Sequence, residues 1–176
     1  RGVPLHKWER VDAAVCFWGI GTHLGTAVSQ NAKGHVLGHV KDLGLEYDDP
    51  VARGYQTSAR LPFHTDHADL VGLACLTTAI EGGDSALVSS VTVYNEMCKR
   101  RPDLVEVLRA PVYRTRWGEV GSKRSPWVEV PVFNVHDKGV MTTYVRSAVR
   151  KAQLMPDVPR LSERQDEAMD LFDALA

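Results

Sequence analysis

Two short stretches constrain this chain more than its composition does. They are Leu61-Pro62-Phe63-His64-Thr65-Asp66 and, beyond an apolar run, Gly82-Gly83-Asp84-Ser85. Side chains of an extended segment alternate between faces, so His64 and Asp66 share one face and Thr65 points to the other. An imidazole and a carboxylate on one face are two of the three protein ligands in a facial triad for non-haem Fe(II). Taken alone, the same pair is a surface turn closed by a hydrogen bond, and on the pair alone that reading comes first. Ser85, taken alone, is a serine at the start of a strand. Gly82 and Gly83 serve the backbone of a turn, where left-handed conformations are needed.

The bulk properties exclude several classes. With 176 residues, 44% hydrophobic and 24% charged, the chain is an ordinary globular domain long enough to bury a core without staples. A net charge of -1 and the lack of a long basic run argue against a nucleic-acid partner. Lys99-Arg100-Arg101 reads as a solvated helix end. Cys16, Cys75 and Cys98 are odd in number and widely spaced, without a CxxC. Buried free thiols in a reducing compartment, hence a cytoplasmic location, are expected. No apolar run is long enough to span a bilayer, so no membrane partner is expected. The first residue is Arg1, which leaves targeting undecided.

Along the chain, Val11, Ala14, Val15 and Trp18 have helical spacing within Trp8 to Leu24, ended by Gly25. Strands are expected at Val36 to Val40, Leu70 to Ala79 and Ser85 to Ser89. Val91, Tyr94, Met97 and Cys98 then mark a helix capped by Ser89 or Ser90 and broken by Pro102, which opens a short helix through Leu108. Strands follow at Val112 to Trp117, Trp127 to Val135 and Val140 to Val145. Asp137-Lys138-Gly139 forms a hairpin turn, and Pro131 implies an edge or a bulge. Ser162 and Gln165 have capping-box spacing before a last helix with Ala168, Met169, Leu171, Phe172 and Leu175 on its apolar face. The expected class is α+β, helices on a β-sandwich or barrel.

In their order, His64-Thr65-Asp66, the apolar run and Gly82-Gly83-Asp84-Ser85 resemble the taurine dioxygenase (TauD/TfdA) family of Fe(II)- and 2-oxoglutarate-dependent oxygenases. The resemblance extends to Gly19-Ile20-Gly21 with Leu24-Gly25 and Ser29-Gln30-Asn31. It also takes in Tyr94-Asn95 with Arg101-Pro102-Asp103-Leu104, and Leu161-Ser162 through Leu171. It implies one domain over residues 1–176 with a double-stranded β-helix (jelly roll) core and flanking helices. It implies His64 and Asp66 as iron ligands and Ser85 as the hydroxyl that meets the 2-oxoglutarate carboxylate. Gln30 falls where the family can face the primary substrate, or is a loop amide bonded to backbone. Arg146, read in a late strand, meets an anionic substrate group or lies at the surface. The implied cofactors are Fe(II) and 2-oxoglutarate. Dioxygen and a small polar metabolite are the other reactants, and hydroxylation is the outcome.

The family's second histidine ligand and the arginine for the far carboxylate of 2-oxoglutarate follow its late helix, and here the sequence stops at Ala176. The expectation is a portion of a longer enzyme, incomplete at both ends and lacking the last strands of the jelly roll. The sheet edge left open would favour a homo-oligomer. The alternatives are a non-catalytic domain of the same fold and a cupin-like protein that uses His136 as third ligand.

Overall fold

In the computed structural model, which describes residues 3–31, 33–49, 51–118 and 124–176, helix boundaries fall where hydroxyls and prolines put them. Ser89 Oγ accepts the Thr92 N–H at 3.3 Å and opens α2, Ser90–Arg100. Pro102, with no N–H to lose, begins α3, Pro102–Arg109. Ser162 and Gln165 cap each other reciprocally, at 3.2 and 2.9 Å, at the head of α5, Glu163–Leu175. The other helices are α1, Arg10–Thr22, and α4, Arg146–Ala152. Among the described residues no helix is long and apolar enough to cross a membrane.

The chain forms two compact units. The first comprises Arg1–His39 and Ala68–Ala86, and holds α1 together with irregular turns. The second comprises Val40–His67 and Leu87–Ala176, and holds α2 to α5 with four strands. These are β1, Pro111–Thr115, β2, Trp127–Pro131, β3, Phe133–His136, and β4, Gly139–Thr142. β1 pairs antiparallel with β2, Thr115 opposite Trp127. β3 pairs antiparallel with β4, His136 opposite Gly139, around the expected Asp137-Lys138 turn.

Pro131 separates the two ribbons, because proline cannot continue a ladder. Just past it, the Val132 N–H goes to the Leu108 carbonyl at 2.9 Å, and the Val132 carbonyl takes the Thr143 N–H at 2.8 Å. The core of the second unit lies between the ribbons and the helices. Val93 and Met97 of α2, Leu104 and Leu108 of α3, and Ala168, Met169 and Phe172 of α5 close over Val112, Phe133 and Tyr144. Phe172 stacks on Tyr144 with ring centroids 4.1 Å apart, and Tyr94 meets Phe133 edge-on at 5.0 Å.

The jelly-roll expectation is overturned. The described strands form two separate two-stranded antiparallel sheets, and no closed or curled sheet is found among them. The strands expected at Val36 to Val40, Leu70 to Ala79 and Ser85 to Ser89 are irregular backbone. The physical reason is that a strand needs a neighbour to pair its backbone and cover one face. Leu70, Val71 and Leu73 instead leave 66%, 58% and 75% of their surface exposed, and Leu87 is 99% exposed. α1 forms where expected, yet its apolar positions Val11 and Val15 are exposed and only Ala13 is buried. Cys75 is exposed and Cys16 half-buried, against the expectation of buried thiols. Past β4 the expected strand ends at Thr142, and Arg146 opens a helix instead of lying in a strand.

Candidate metal centre

Residues 64–66 alternate as an extended segment should. His64 and Asp66 are exposed and Thr65 is half-buried. Thr65 fixes the segment by gripping the backbone of Tyr144. Its N–H donates to the Tyr144 carbonyl at 2.8 Å, and its Oγ1 accepts the Tyr144 N–H at 2.8 Å. Tyr144 is only 1% exposed, and its hydroxyl donates to Asp173 Oδ1 at 2.6 Å. Burial, then the bond to Asp173, holds the Tyr144 phenol well above its ordinary range, so it stays neutral. The pair is thereby tied through Thr65 and Tyr144 to the core and to α5.

His64 Nδ1 lies 2.8 Å from the Pro62 carbonyl. A carbonyl oxygen can only accept, so Nδ1 carries a proton, and in the Nδ1–H tautomer Nε2 is the nitrogen with a lone pair to offer. This is the backbone orientation that metal-ligating histidines commonly receive. Nε2 faces Asp66 Oδ1 at 4.0 Å. Two bonds of about 2.1 Å at the roughly right angle of a facial pair put the donors about 3.0 Å apart, so the two side chains must close by about 1 Å to share one cation. The donor set fits two ligands of a divalent metal with nitrogen and oxygen preference.

Among the described residues no group of three His, Cys, Asp or Glu side chains gathers to hold a metal. The alternative with His136 as third ligand therefore has no geometric support. His136 ends β3, where its Nδ1 accepts the Lys138 N–H at 3.3 Å and sits 3.9 Å from Asp137.

Ser85 and Gln30 belong to the first unit. Ser85 is exposed and follows Gly82 and Gly83, whose φ of +70° and +77° are the left-handed values that make glycine the fitting residue there. The Gln30 side-chain amide donates to the Val28 carbonyl at 2.9 Å, and its backbone N–H donates to the His35 carbonyl at 2.6 Å.

Arg146 is not at the surface. It is 6% exposed at the first position of α4, and meets Asp170 at 2.6 Å, Asp166 at 3.2 Å and Asp173 at 3.7 Å. A cation at a helix N-terminus opposes the helix dipole, and these α5 carboxylates offset that. Burial works against its charge, but Tyr144, Asp173 and Asp170 outweigh it and hold the guanidinium above its ordinary value.

His67, the neighbour of Asp66, feels positive charges that the sequence did not single out. His67 is held below the ordinary imidazole range by burial, then by the charge of Arg114, with Asp66 opposing and Arg53 adding to the lowering. Arg53 lies over the Trp117 ring, 4.3 Å from its centroid. Trp117 has φ +52°, a left-handed conformation unusual for a bulky residue, and its N–H donates to Thr115 Oγ1 at 3.0 Å. Lys151 of α4 is buried, donates to the Ala52 carbonyl at 2.9 Å, and is pushed down from its ordinary value by that burial. Arg114 in β1 and Arg116 just past its end are the sequence signal that could have pointed to these charges.

The family described as "Taurine catabolism dioxygenase TauD, TfdA family" matches residues 1–176. The chain is 30% identical to FR-33289 synthase of Streptomyces rubellomurinus (strain ATCC 31215) over 183 residues, covering 100% of the chain and 52% of that protein. It is 34% identical to taurine hydroxylase-like protein SAT17 of Stachybotrys chartarum (strain CBS 109288 / IBT 7711) over 116 residues, covering 62% of the chain and 30% of that protein. Uridine-5'-phosphate dioxygenase of an Amycolatopsis species is 30% identical over 123 residues, covering 60% of the chain and 43% of that protein. The chain thus spans about half the length, or less, of the curated relatives it matches.

Proposed function

Because the chain belongs to the TauD/TfdA family of dioxygenases, we propose that it carries the metal-binding part of an Fe(II)- and 2-oxoglutarate-dependent oxygenase that hydroxylates a small polar metabolite. Similarity to proteins named as a taurine hydroxylase-like protein and a uridine-5'-phosphate dioxygenase supports this reading. The observation that carries it is the His64 ring, whose Nδ1 contact with Pro62 leaves Nε2 free 4.0 Å from Asp66.

In this reading His64 and Asp66 are two ligands of the iron, and a third comes from outside the described residues. When bound, the iron with 2-oxoglutarate activates dioxygen for attack on a substrate C–H bond, chemistry that belongs to the cofactors. The chain orients the ligands. The Pro62 carbonyl fixes the His64 tautomer, and Thr65 anchors the backbone between the ligands to Tyr144. Ser85 supplies a hydroxyl donor for a carboxylate oxygen of 2-oxoglutarate. Gln30 and Arg146 are the candidate contacts for the primary substrate, Arg146 only by exchanging part of its pairing with α5.

The test is Fe(II)-dependent conversion of 2-oxoglutarate to succinate by the protein expressed at its full encoded length. Turnover that falls at least a hundredfold in His64→Ala and in Asp66→Ala is the expected result. Turnover absent from the iron-loaded parent, or retained in both variants, overturns the reading.

A further inference from the structure

Two charges of the second unit stand at helix ends that disfavour them. Arg146 is the first residue of α4, and Asp173 lies in the last turn of α5. A cation at a helix N-terminus and an anion at a C-terminus both oppose the helix dipole. The two face each other, Arg146 Nη1 lying 3.7 Å from Asp173 Oδ2. The other carboxylate oxygen of Asp173 accepts the Tyr144 hydroxyl at 2.6 Å, a short charge-assisted bond. The other acceptor near that hydroxyl is the Met169 carbonyl, at 3.4 Å. Asp173 therefore holds Tyr144 directly and Arg146, two residues further on, by charge. The backbone it steadies is the one that Thr65 grips. Among the described residues, the hydrogen bonds that tie residues 61–66 to a distant part of the chain all go to Tyr144.

We propose that Asp173 is a positioning residue: through Tyr144 it fixes the backbone at Thr65 and thereby the His64–Asp66 pair. To share one cation the two side chains close by about 1 Å. A backbone already fixed between them leaves only side-chain torsions to adjust. A loose one must be ordered as the metal binds, and that entropy weakens binding. The anchor is as firm as Tyr144 itself. Its ring is held by the stack on Phe172, and the bond to Asp173 fixes the ring's far end. The Asp173 side chain is 38% exposed, so removing its carboxylate opens no sealed cavity. The brace on Thr65 stands by itself, whereas its service to a metal rests on the oxygenase reading.

The experiment combines amide hydrogen exchange of the metal-free protein with Mn(II) titration, in the parent, Tyr144→Phe, Asp173→Ala and Asp173→Asn. In Tyr144→Phe and Asp173→Ala the Thr65 amide should exchange about tenfold faster. The Val132 amide, bonded to the Leu108 carbonyl in the same unit, should keep its parent rate. Asp173→Asn retains an oxygen that accepts from the hydroxyl and loses the charge that faces Arg146, so it should stay near the parent. Mn(II) affinity should fall about fivefold in Tyr144→Phe and Asp173→Ala. That loss should shrink in a Thr65→Val background, where part of the link is already gone.

An unchanged Thr65 rate overturns the proposal. So does equal acceleration at Thr65 and Val132, which would show a general loss of stability. Losses of Mn(II) affinity that add in full to that of Thr65→Val also overturn it, as does Asp173→Asn behaving like Asp173→Ala. The Asp173 variants carry the test if Tyr144→Phe does not fold. Faster Thr65 exchange in a protein whose parent binds no Mn(II) at His64 would keep the brace and remove the oxygenase reading. Mn(II) binding lost in His64→Ala but undiminished in Asp173→Ala and Tyr144→Phe would keep the metal centre and overturn the positioning role.

Discussion

Replacing Thr65 by valine isolates the contact that holds the His64–Asp66 segment in place. Valine keeps the volume and the branched shape, so no cavity opens, but it removes the oxygen that accepts the Tyr144 N–H at 2.8 Å. Tyr144 is 1% exposed, so water does not replace the lost partner. A buried donor left without an acceptor costs about 1–3 kcal/mol, and the gain from burying a methyl in place of the hydroxyl offsets part of it. A net loss of about 1–2 kcal/mol follows. At roughly 2–4 °C per kcal/mol for a chain of this length, the melting temperature should fall by about 2–8 °C. The assay is thermal and urea unfolding of parent, Thr65→Val and Thr65→Ser. Serine retains the acceptor, so its loss should be the smaller of the two. On the proposed reading the same variants should order identically in Mn(II) affinity, because Thr65 lies between His64 and Asp66 and Tyr144 holds it. Valine as stable as the parent, or no less stable than serine, would refute the reasoning.

Three further outcomes follow from the second unit. Arg146→Leu should lose about 1–3 kcal/mol in urea unfolding, less than for a fully buried pair because its aspartates are 46%, 68% and 38% exposed and rehydrate; unchanged stability would show that the α4–α5 pairing is idle. Asp103 takes hydrogen bonds from Arg101 and Arg164, and the Arg101 bonds foremost hold its carboxyl well below the ordinary 3.8. The unfolded chain then binds that proton first, so the stabilisation is complete above 3.8 and is lost as pH falls through that value toward the folded one. Asp103→Asn should flatten the acid limb of a plot of melting temperature against pH, and an unaltered limb would contradict the assignment. Ser162→Ala removes the Oγ that caps α5 and should cost about 1 kcal/mol in urea unfolding, while Ser162→Thr should largely retain the parent value.

What could be read from the chain was local. Ser89, Pro102 and the Ser162–Gln165 pair announce helix ends because the groups that satisfy a helix terminus lie within three or four residues of it. The Asp137-Lys138 turn is similarly self-contained. The alternation that exposes His64 and Asp66 and buries Thr65 needs only an extended backbone. Strand pairing is not local, and there the reading failed. Leu70 to Ala79 has strand composition but no partner, so the expected barrel is replaced by two ribbons separated at Pro131. α4 was missed because the β-branched residues up to Val145 continue a strand pattern, while the pairing of Arg146 with α5 depends on contacts some twenty residues away in sequence. Arg114 passed as an ordinary strand arginine because the covering of its Nε and Nη1 depends on the fold around it and not on its neighbours in sequence. The shared face of His64 and Asp66 was legible from the sequence, and the contact of His64 with the Pro62 carbonyl was not.

The claim on which the functional reading turns is that His64 presents Nε2 as a metal ligand. Nitrogen-15 NMR of the histidine-labelled, metal-free protein, followed by substoichiometric Mn(II), tests it directly. Among the seven histidines, His64 should show the Nδ1–H tautomer, and its Nε2 resonance should broaden first, with the effect lost in Asp66→Asn. An Nε2–H tautomer at His64, or first broadening at another histidine, would contradict it.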